Sequence, residues 1–216
     1  MFMTPITSGV LRVIKRPPRF SVLFVENAVF CPDEIMIHEK TATEYKQVIA
    51  TCKALFLKKT KDYGTAWRIL RLPAITDQIF IKAKRIRSIQ EKGAQRVGDP
   101  IADEFVGIIN YCVIALIQLQ LDESTQTELT AEEVEPLYDA AINETFSLQQ
   151  DKNHDYGEAW RDMRVESMTD IILMKLLRVK QIEDNEGKTL VSEGVKANYQ
   201  DMINYAVFCL IKLKEN

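Results

Sequence analysis

The chain has little that interrupts regular structure: 8 Gly and 7 Pro in 216 residues, about 7% against an ordinary combined share near 12%. That scarcity disfavours a turn-rich all-β sandwich or barrel and predicts long helices. Cysteine is sparse too. Cys31, Cys52, Cys112 and Cys209 are scattered, without a CxxC pair, and the chain has only two His, so neither a disulfide framework nor structural zinc is expected. Cys112 and Cys209 sit inside apolar runs, where a thiol acts as a small hydrophobe. No uninterrupted apolar stretch approaches the roughly 18–20 residues of a membrane span; the expectation is a cytoplasmic protein with no membrane partner. Nor does one charge sign dominate. Twenty-eight basic and 31 acidic residues give −3, which excludes wholesale wrapping of nucleic acid and leaves room for a local basic site. No groove-reading motif is present, so no sequence-specific nucleic-acid contact is expected.

What remains is an ordinary globular balance, 46% apolar and 27% charged, enough for a core without staples. Residues 1–35 differ from the rest. Arg12, Lys15, Arg16 and Arg19 surround Pro17-Pro18, and the short apolar run Val22-Leu23-Phe24-Val25 is broken by Glu26 and Asn27. A signal peptide needs a longer core and small residues after it, so this segment is expected to be a poorly ordered extension.

The strongest signal comes from laying the chain on itself at an offset of 93. Lys59, Asp62-Tyr63-Gly64 and Ala66-Trp67-Arg68 match Lys152, Asp155-Tyr156-Gly157 and Ala159-Trp160-Arg161. The match continues through Arg71/Arg164, Thr76/Thr169, Asp77/Asp170, Lys82/Lys175 and Arg85/Arg178, with 14 of 33 positions identical from 59 to 91. Downstream, Asn110-Tyr111 matches Asn204-Tyr205 at an offset of 94. This is a tandem duplication. Residues 36–121 form the first copy, 122–130 a polar linker and 131–216 the second. Each copy reads as three helices, at about 42–59, 75–92 and 102–121, then about 132–151, 168–185 and 193–214. Thr130-Ala-Glu-Glu133 is a capping-box start, and Thr76 and Thr169 are candidate starts for the middle helices. The predicted fold is an all-α bundle of two three-helix units with pseudo-twofold symmetry, a single chain in place of a homodimer. Whether the chain associates further stays open.

The repeated polar residues have two readings each. Lys82 and Arg85, like Lys175 and Arg178, stand i, i+3 on one helix face. They suit phosphate oxygens, or internal salt bridges to Asp77 and Asp170. Asp62, Tyr63, Asp155 and Tyr156 suit either a helix-ending turn or nucleotide contact. Trp67 and Trp160 are core anchors or base-stacking rings, with Arg68 and Arg161 beside them. His154 stands where the first copy has Lys61, so no catalytic His is common to both. Glu193 and Asp201 lie eight apart, roughly 80° around a helix, and converging carboxylates suit Mg²⁺ on a substrate phosphate. In the first copy Gly107 replaces Asp201, with Asp103 and Glu104 about one turn earlier. Asn110 and Asn204 suit amides bonding between helices.

The Lys-x-x-Asp-Tyr-Gly motif, followed by Asp-x-x-x-x-Lys-x-x-Arg and by Asp201-Met-Ile-Asn204-Tyr205, resembles the bacterial and phage nucleotide modification associated domain, over about 40–120 and 130–214. The helical layout with late acids is also similar to the MazG-type all-α nucleoside triphosphate pyrophosphohydrolases. Lys58-Lys59 and Gln149-Gln150-Asp151 stand in place of that family's Glu-Glu-x-x-Glu motif. The resemblance implies a small-molecule nucleotide as partner. Lys175, Arg178, Lys82 and Arg85 would meet its phosphates, and Trp160 or Tyr156 its base. Glu193 and Asp201 would hold Mg²⁺, with Asp155 or Asp170 as a further ligand, and the ion polarises phosphoryl oxygens and orients water. The expectation is a nucleotide-binding or nucleotide-processing protein, in one form a Mg²⁺-dependent nucleoside phosphate hydrolase. The alternatives are a non-catalytic nucleotide-binding module and a structural helical repeat.

Overall fold

The structure, a computed structural model, describes residues 23–25, 28–30, 32–93, 98, 100–121, 128–189 and 193–215, with backbone alone before Glu39 and at His154 and Tyr156. The basic patch at 12–19, Cys31 and linker residues 122–127 lie outside the described residues. The chain divides into two compact units, residues 1–37 and 38–216. Where the sequence predicts a poorly ordered extension, the first unit contains a small antiparallel hairpin. Its strands β1 (Leu23–Val25) and β2 (Ala28–Phe30) pair in the register Leu23↔Phe30.

The rest is helical: α1 (Pro32–Tyr63), α2 (Leu72–Lys92), α3 (Ile101–Gln120), α4 (Ala131–Tyr156), α5 (Val165–Asp184) and α6 (Val195–Glu215). A single 3-10 turn follows α1 and another follows α4. The first helix of each copy outruns its expected length, so the Asp-Tyr pairs form its last turn rather than a loop. Gly64 and Gly157, at φ +65° and +62°, then reverse the chain in a conformation that a side chain disfavours. Thr130 caps α4 as expected: Glu133 N–H donates to its hydroxyl at 3.2 Å and Thr130 N–H donates to the Glu133 carboxylate at 2.8 Å. Thr76 and Thr169 do not start the middle helices. Arg71 and Arg164 occupy those positions, and both hydroxyls donate back to carbonyls four residues earlier, as threonine inside a helix does.

Ile75, Ile79, Ala83 and Ile86 of α2 are fully buried, as are their counterparts Met168, Ile172, Leu176 and Val179 of α5. Both stripes face α3 and α6, which pack against each other at the centre. α3 has the length and hydropathy of a membrane-spanning helix, but its residues from Ile108 to Ile117, apart from Asn110 and Tyr111, are buried in this core. Several contacts between the copies come in exchanged pairs. Lys180 bonds Asp77, and its counterpart Arg87 bonds Asp170 at 3.4 Å. Thr76 bonds Glu183 at 2.7 Å, and its counterpart Thr169 accepts from Gln90 at 3.1 Å. The fold is an all-α tandem bundle, and this exchange is its pseudo-twofold symmetry.

Candidate functional site

In the second copy, Asp201 of α6 is the meeting point of two lysines. Its carboxylate accepts from Lys152 of α4 at 2.7 Å and from Lys175 of α5. Asp201 and Lys175 are mostly covered, with side chains 13% and 12% exposed, whereas Lys152 is 54% exposed. Burial opposes charge on Asp201. The lysine hydrogen bonds and charges outweigh it and hold the carboxyl below its ordinary value. Burial likewise opposes charge on Lys152, and Asp201 outweighs it and lifts that ammonium pKa. Tyr205, one turn beyond Asp201, borders the cluster. Burial, and then the Asp201 charge, push its phenol pKa up. Arg178 lies one turn beyond Lys175 and is exposed; no ion pair joins it to an acid among the described residues. Each ammonium has three donors and uses one on Asp201, leaving two.

The first copy solves the same place differently. Lys82 and Arg85 both bond Glu104 of α3, Lys82 at 3.3 Å. The Lys82 stem lies over Gly107, where an added Cβ would come within 2.6 Å of its Cε. The salt bridges expected with Asp77 and Asp170 are therefore replaced by bridges to the third helix. The two aspartates reach across to the opposite copy instead. Glu104 is one of the two first-copy acids expected about a turn before the place of Asp201, whereas Lys152 was not among the expected site residues, although it belongs to the repeated motif.

Trp160 is 5% exposed and stacks on Phe208 at 4.3 Å. Arg161 covers its other face at 4.3 Å. Arg161 also donates to Glu44 at 2.7 Å and Glu158 at 2.5 Å, and to Thr41 at 2.6 Å, so it joins the second copy to α1. Arg68 bonds Gln118, which donates in return to the Arg68 carbonyl at 3.3 Å, as Lys212 does to the Arg161 carbonyl. Trp67 is half-buried. The indole N–H groups of Trp67 and Trp160 have no acceptor among the described residues. Asp62, Tyr63 and Asp155 are exposed, and the Tyr156 side chain lies outside the described residues.

The three acids expected to hold Mg²⁺ are not brought together. Glu193 precedes α6 instead of standing on it, although its charge still acts on Lys152. Asp170 is engaged with Arg87 on α2, and Asp201 with two ammonium groups. Among the described residues no three His, Cys, Asp or Glu side chains form a metal-sized group, so the donor set does not fit the ion. A groove of about 420 Å³, lined among others by Gln90, Ile101, Arg164 and Lys212, opens elsewhere between the copies. None of the expected site residues lines it.

No curated protein and no solved structure matches the chain. The family model described as nucleotide modification associated domain 1 matches twice, at residues 59–119 and 152–213. Each match runs from the repeated lysine before Asp-Tyr-Gly to the end of the central helix, and together they cover more than half the chain. The chain therefore belongs to the nucleotide modification associated domain 1 family, as a tandem pair.

Proposed function

We propose that this protein binds a nucleotide through its phosphate on the second copy, with Lys152, Lys175 and Arg178 as the phosphate-binding cations. The observation that carries this reading is the Asp201 carboxylate holding Lys152 and Lys175 on two different helices. A shared anion keeps two cations together that would otherwise repel, and leaves their remaining donors for a ligand. Three cations against one carboxylate suit a phosphate monoester, which carries about −1.5 to −2 near neutrality. The family description, which concerns nucleotide modification, agrees with that chemistry. Lys82 and Arg85 form the matching pair of the first copy. Trp160, Arg161, Trp67 and Arg68 would act behind the site, as the packing that fixes each 3-10 turn.

A binding module without turnover is favoured over a hydrolase. A magnesium-dependent step would require Asp201 to release two ammonium partners. The test is thermal denaturation of the full chain with inorganic phosphate, nucleoside monophosphates and nucleoside triphosphates, each with and without Mg²⁺. Ligand at about a thousand times its Kd stabilises by about 4 kcal/mol. Stabilisation that is lost in Lys175→Ala and weakened in Lys152→Ala is the expected result. Equal shifts in the wild type and both variants would overturn the proposal, and release of phosphate or pyrophosphate would replace it with the enzymatic alternative.

A further inference from the structure

Three of the large apolar side chains exposed among the described residues stand together on the helix pair α2–α5. Ile81, Met174 and Leu177 are 60%, 47% and 54% exposed. The exchanged ion pairs place them. Asp77–Lys180 and Arg87–Asp170 set α2 and α5 antiparallel in one register, in which Ile81 is level with Leu176 and Leu177. Ile81 follows Asp77 by one turn, and Met174 and Leu177 follow Asp170 by one and two turns. Each therefore shares a helix stripe with an acid that reaches across the seam. Phe80 is half-buried, with the Lys180 ammonium 4.4 Å and the Lys84 ammonium 5.9 Å from its ring centre. The opposite stripes of both helices are the buried ones, through Ile79, Ala83, Ile172 and Leu176. The apolar cluster is thus the outer face of the α2–α5 layer.

We propose that this face binds a second copy of the chain, α2–α5 against α2–α5, through a twofold interface. The charge pattern selects that partner. Asp77 and Lys180 mark one end of the face, and Arg87 and Asp170 the other. The two acids therefore stand at opposite corners, one on each helix, and the two cations at the remaining corners. A half-turn about the line crossing both helices lays α2 antiparallel on the second copy's α2. It sets acid over cation at all four corners, Asp77 on Arg87 and Asp170 on Lys180, with Ile81 on Ile81 and Met174 near Leu177 between them. A twofold interface requires a surface that complements itself, and alternating corners around an apolar centre meet that requirement with a polar rim on a hydrophobic middle. Two helices about 30 Å long lying about 8–10 Å apart present on the order of 600 Å², near the roughly 800 Å² per partner of a stable interface. The phosphate site is left clear, because Lys175 turns from this face to Asp201 on α6.

The test is sedimentation equilibrium of the full chain without nucleotide. The wild type should form a dimer in the micromolar range. Ile81→Asp should weaken it at least about tenfold, since it sets two unpaired carboxylates against each other in the interface, and should keep the helical circular dichroism of an exposed substitution. A second arm isolates the charge pattern. Asp77→Lys with Asp170→Lys makes every corner basic, and Lys180→Glu with Arg87→Glu makes every corner acidic. Each double variant alone should be monomeric, and an equal mixture should form a heterodimer. A wild-type monomer at high micromolar concentration would overturn the inference and leave the face to an unlike partner. A dimer that Ile81→Asp does not weaken would overturn it as well, because the copies would then meet elsewhere. Those two measurements decide the matter even where a double variant fails to fold.

Discussion

Tyr45 of α1 donates its hydroxyl hydrogen to Asn204 of α6 at 2.8 Å, and its counterpart Tyr138 of α4 donates to Asn110 of α3 at 3.0 Å. Each copy's first helix is thus tied to the other copy's third. Asn110 donates onward to the Cys52 carbonyl at 3.1 Å. Both tyrosines are buried, but Asn204 is 6% exposed and Asn110 only half-buried. Tyr45→Phe leaves a buried amide oxygen without a donor and is expected to cost about 1–3 kcal/mol. Tyr138→Phe leaves one that water reaches more easily and should cost less. Urea unfolding of both variants checks the order.

Around Glu183 the exchanged contacts are unequal. Tyr199 and Thr76 hydroxyls lie 2.7 Å apart, and Thr76 lies 2.7 Å from the Glu183 carboxylate. Burial raises the Glu183 pKa above 4.5, and the Thr76 and Tyr199 hydrogen bonds offset only part of that. A carboxyl raised on folding stabilises fully below its unfolded value and loses that contribution as pH rises through its folded value. Its counterpart Gln90 makes the matching contact without charge. Glu183→Gln should therefore stabilise the protein near pH 7, by up to about 1 kcal/mol given solvent screening of a half-exposed group. The gain should shrink as pH falls through the raised folded value and be gone below 4.5. Thermal denaturation across that range measures it.

The doubling was legible because identical side chains recur at one offset, and the helices because Ile75, Ile79, Ala83 and Ile86 repeat at helical spacing. The partners of the charged residues were not. Asp77 is five residues before Lys82, about 140° around the helix, so the expected local salt bridge cannot form well. Glu104, the actual partner, stands on another helix where no spacing rule reaches. Arg161 finds Glu44, 117 residues earlier in the chain, through the exchange of the copies alone. Gly107 standing where the second copy has Asp201 marks that acid in the sequence, but names no cation to pair with it. Which cations turn toward that acid depends on how α4 and α5 pack against α6.

Asp201 titrates in the opposite sense to Glu183. Its folded pKa lies below the ordinary 3.8, so its contribution is present above that value and fades as pH falls through the depressed folded value. Asp201→Asn removes the charge and leaves Lys175, 12% exposed, without its counter-ion. The expected loss is about 1–3 kcal/mol at pH 7, closing as pH drops below 3.8. Guanidinium unfolding at neutral and acid pH separates this from a loss that is constant with pH.

Asp170 and Arg87 are 59% and 45% exposed, and such pairs contribute roughly 0–1 kcal/mol. Asp170→Asn is expected to change stability by less than about 0.5 kcal/mol and nucleotide affinity not at all. Affinity that falls in the variant only when Mg²⁺ is present would restore Asp170 as a metal ligand.

Gly107→Asp places the second copy's acid into the first. The new Cβ meets the far end of the Lys82 side chain, its Cδ, Cε and Nζ at 2.6–2.9 Å, which can swing aside and pair with the new carboxylate. Replacing a helical glycine also returns up to about 1 kcal/mol of chain entropy, so stability should change by less than about 1 kcal/mol. The copied acid should not create a second nucleotide site. Glu104 still holds Lys82 and Arg85 there, so a second carboxylate would fully neutralise that pair and leave it no net charge for a phosphate. Calorimetry of the variant should therefore keep one site per chain. A second site in Gly107→Asp would show that the acid alone, with its cations, suffices to take the ligand.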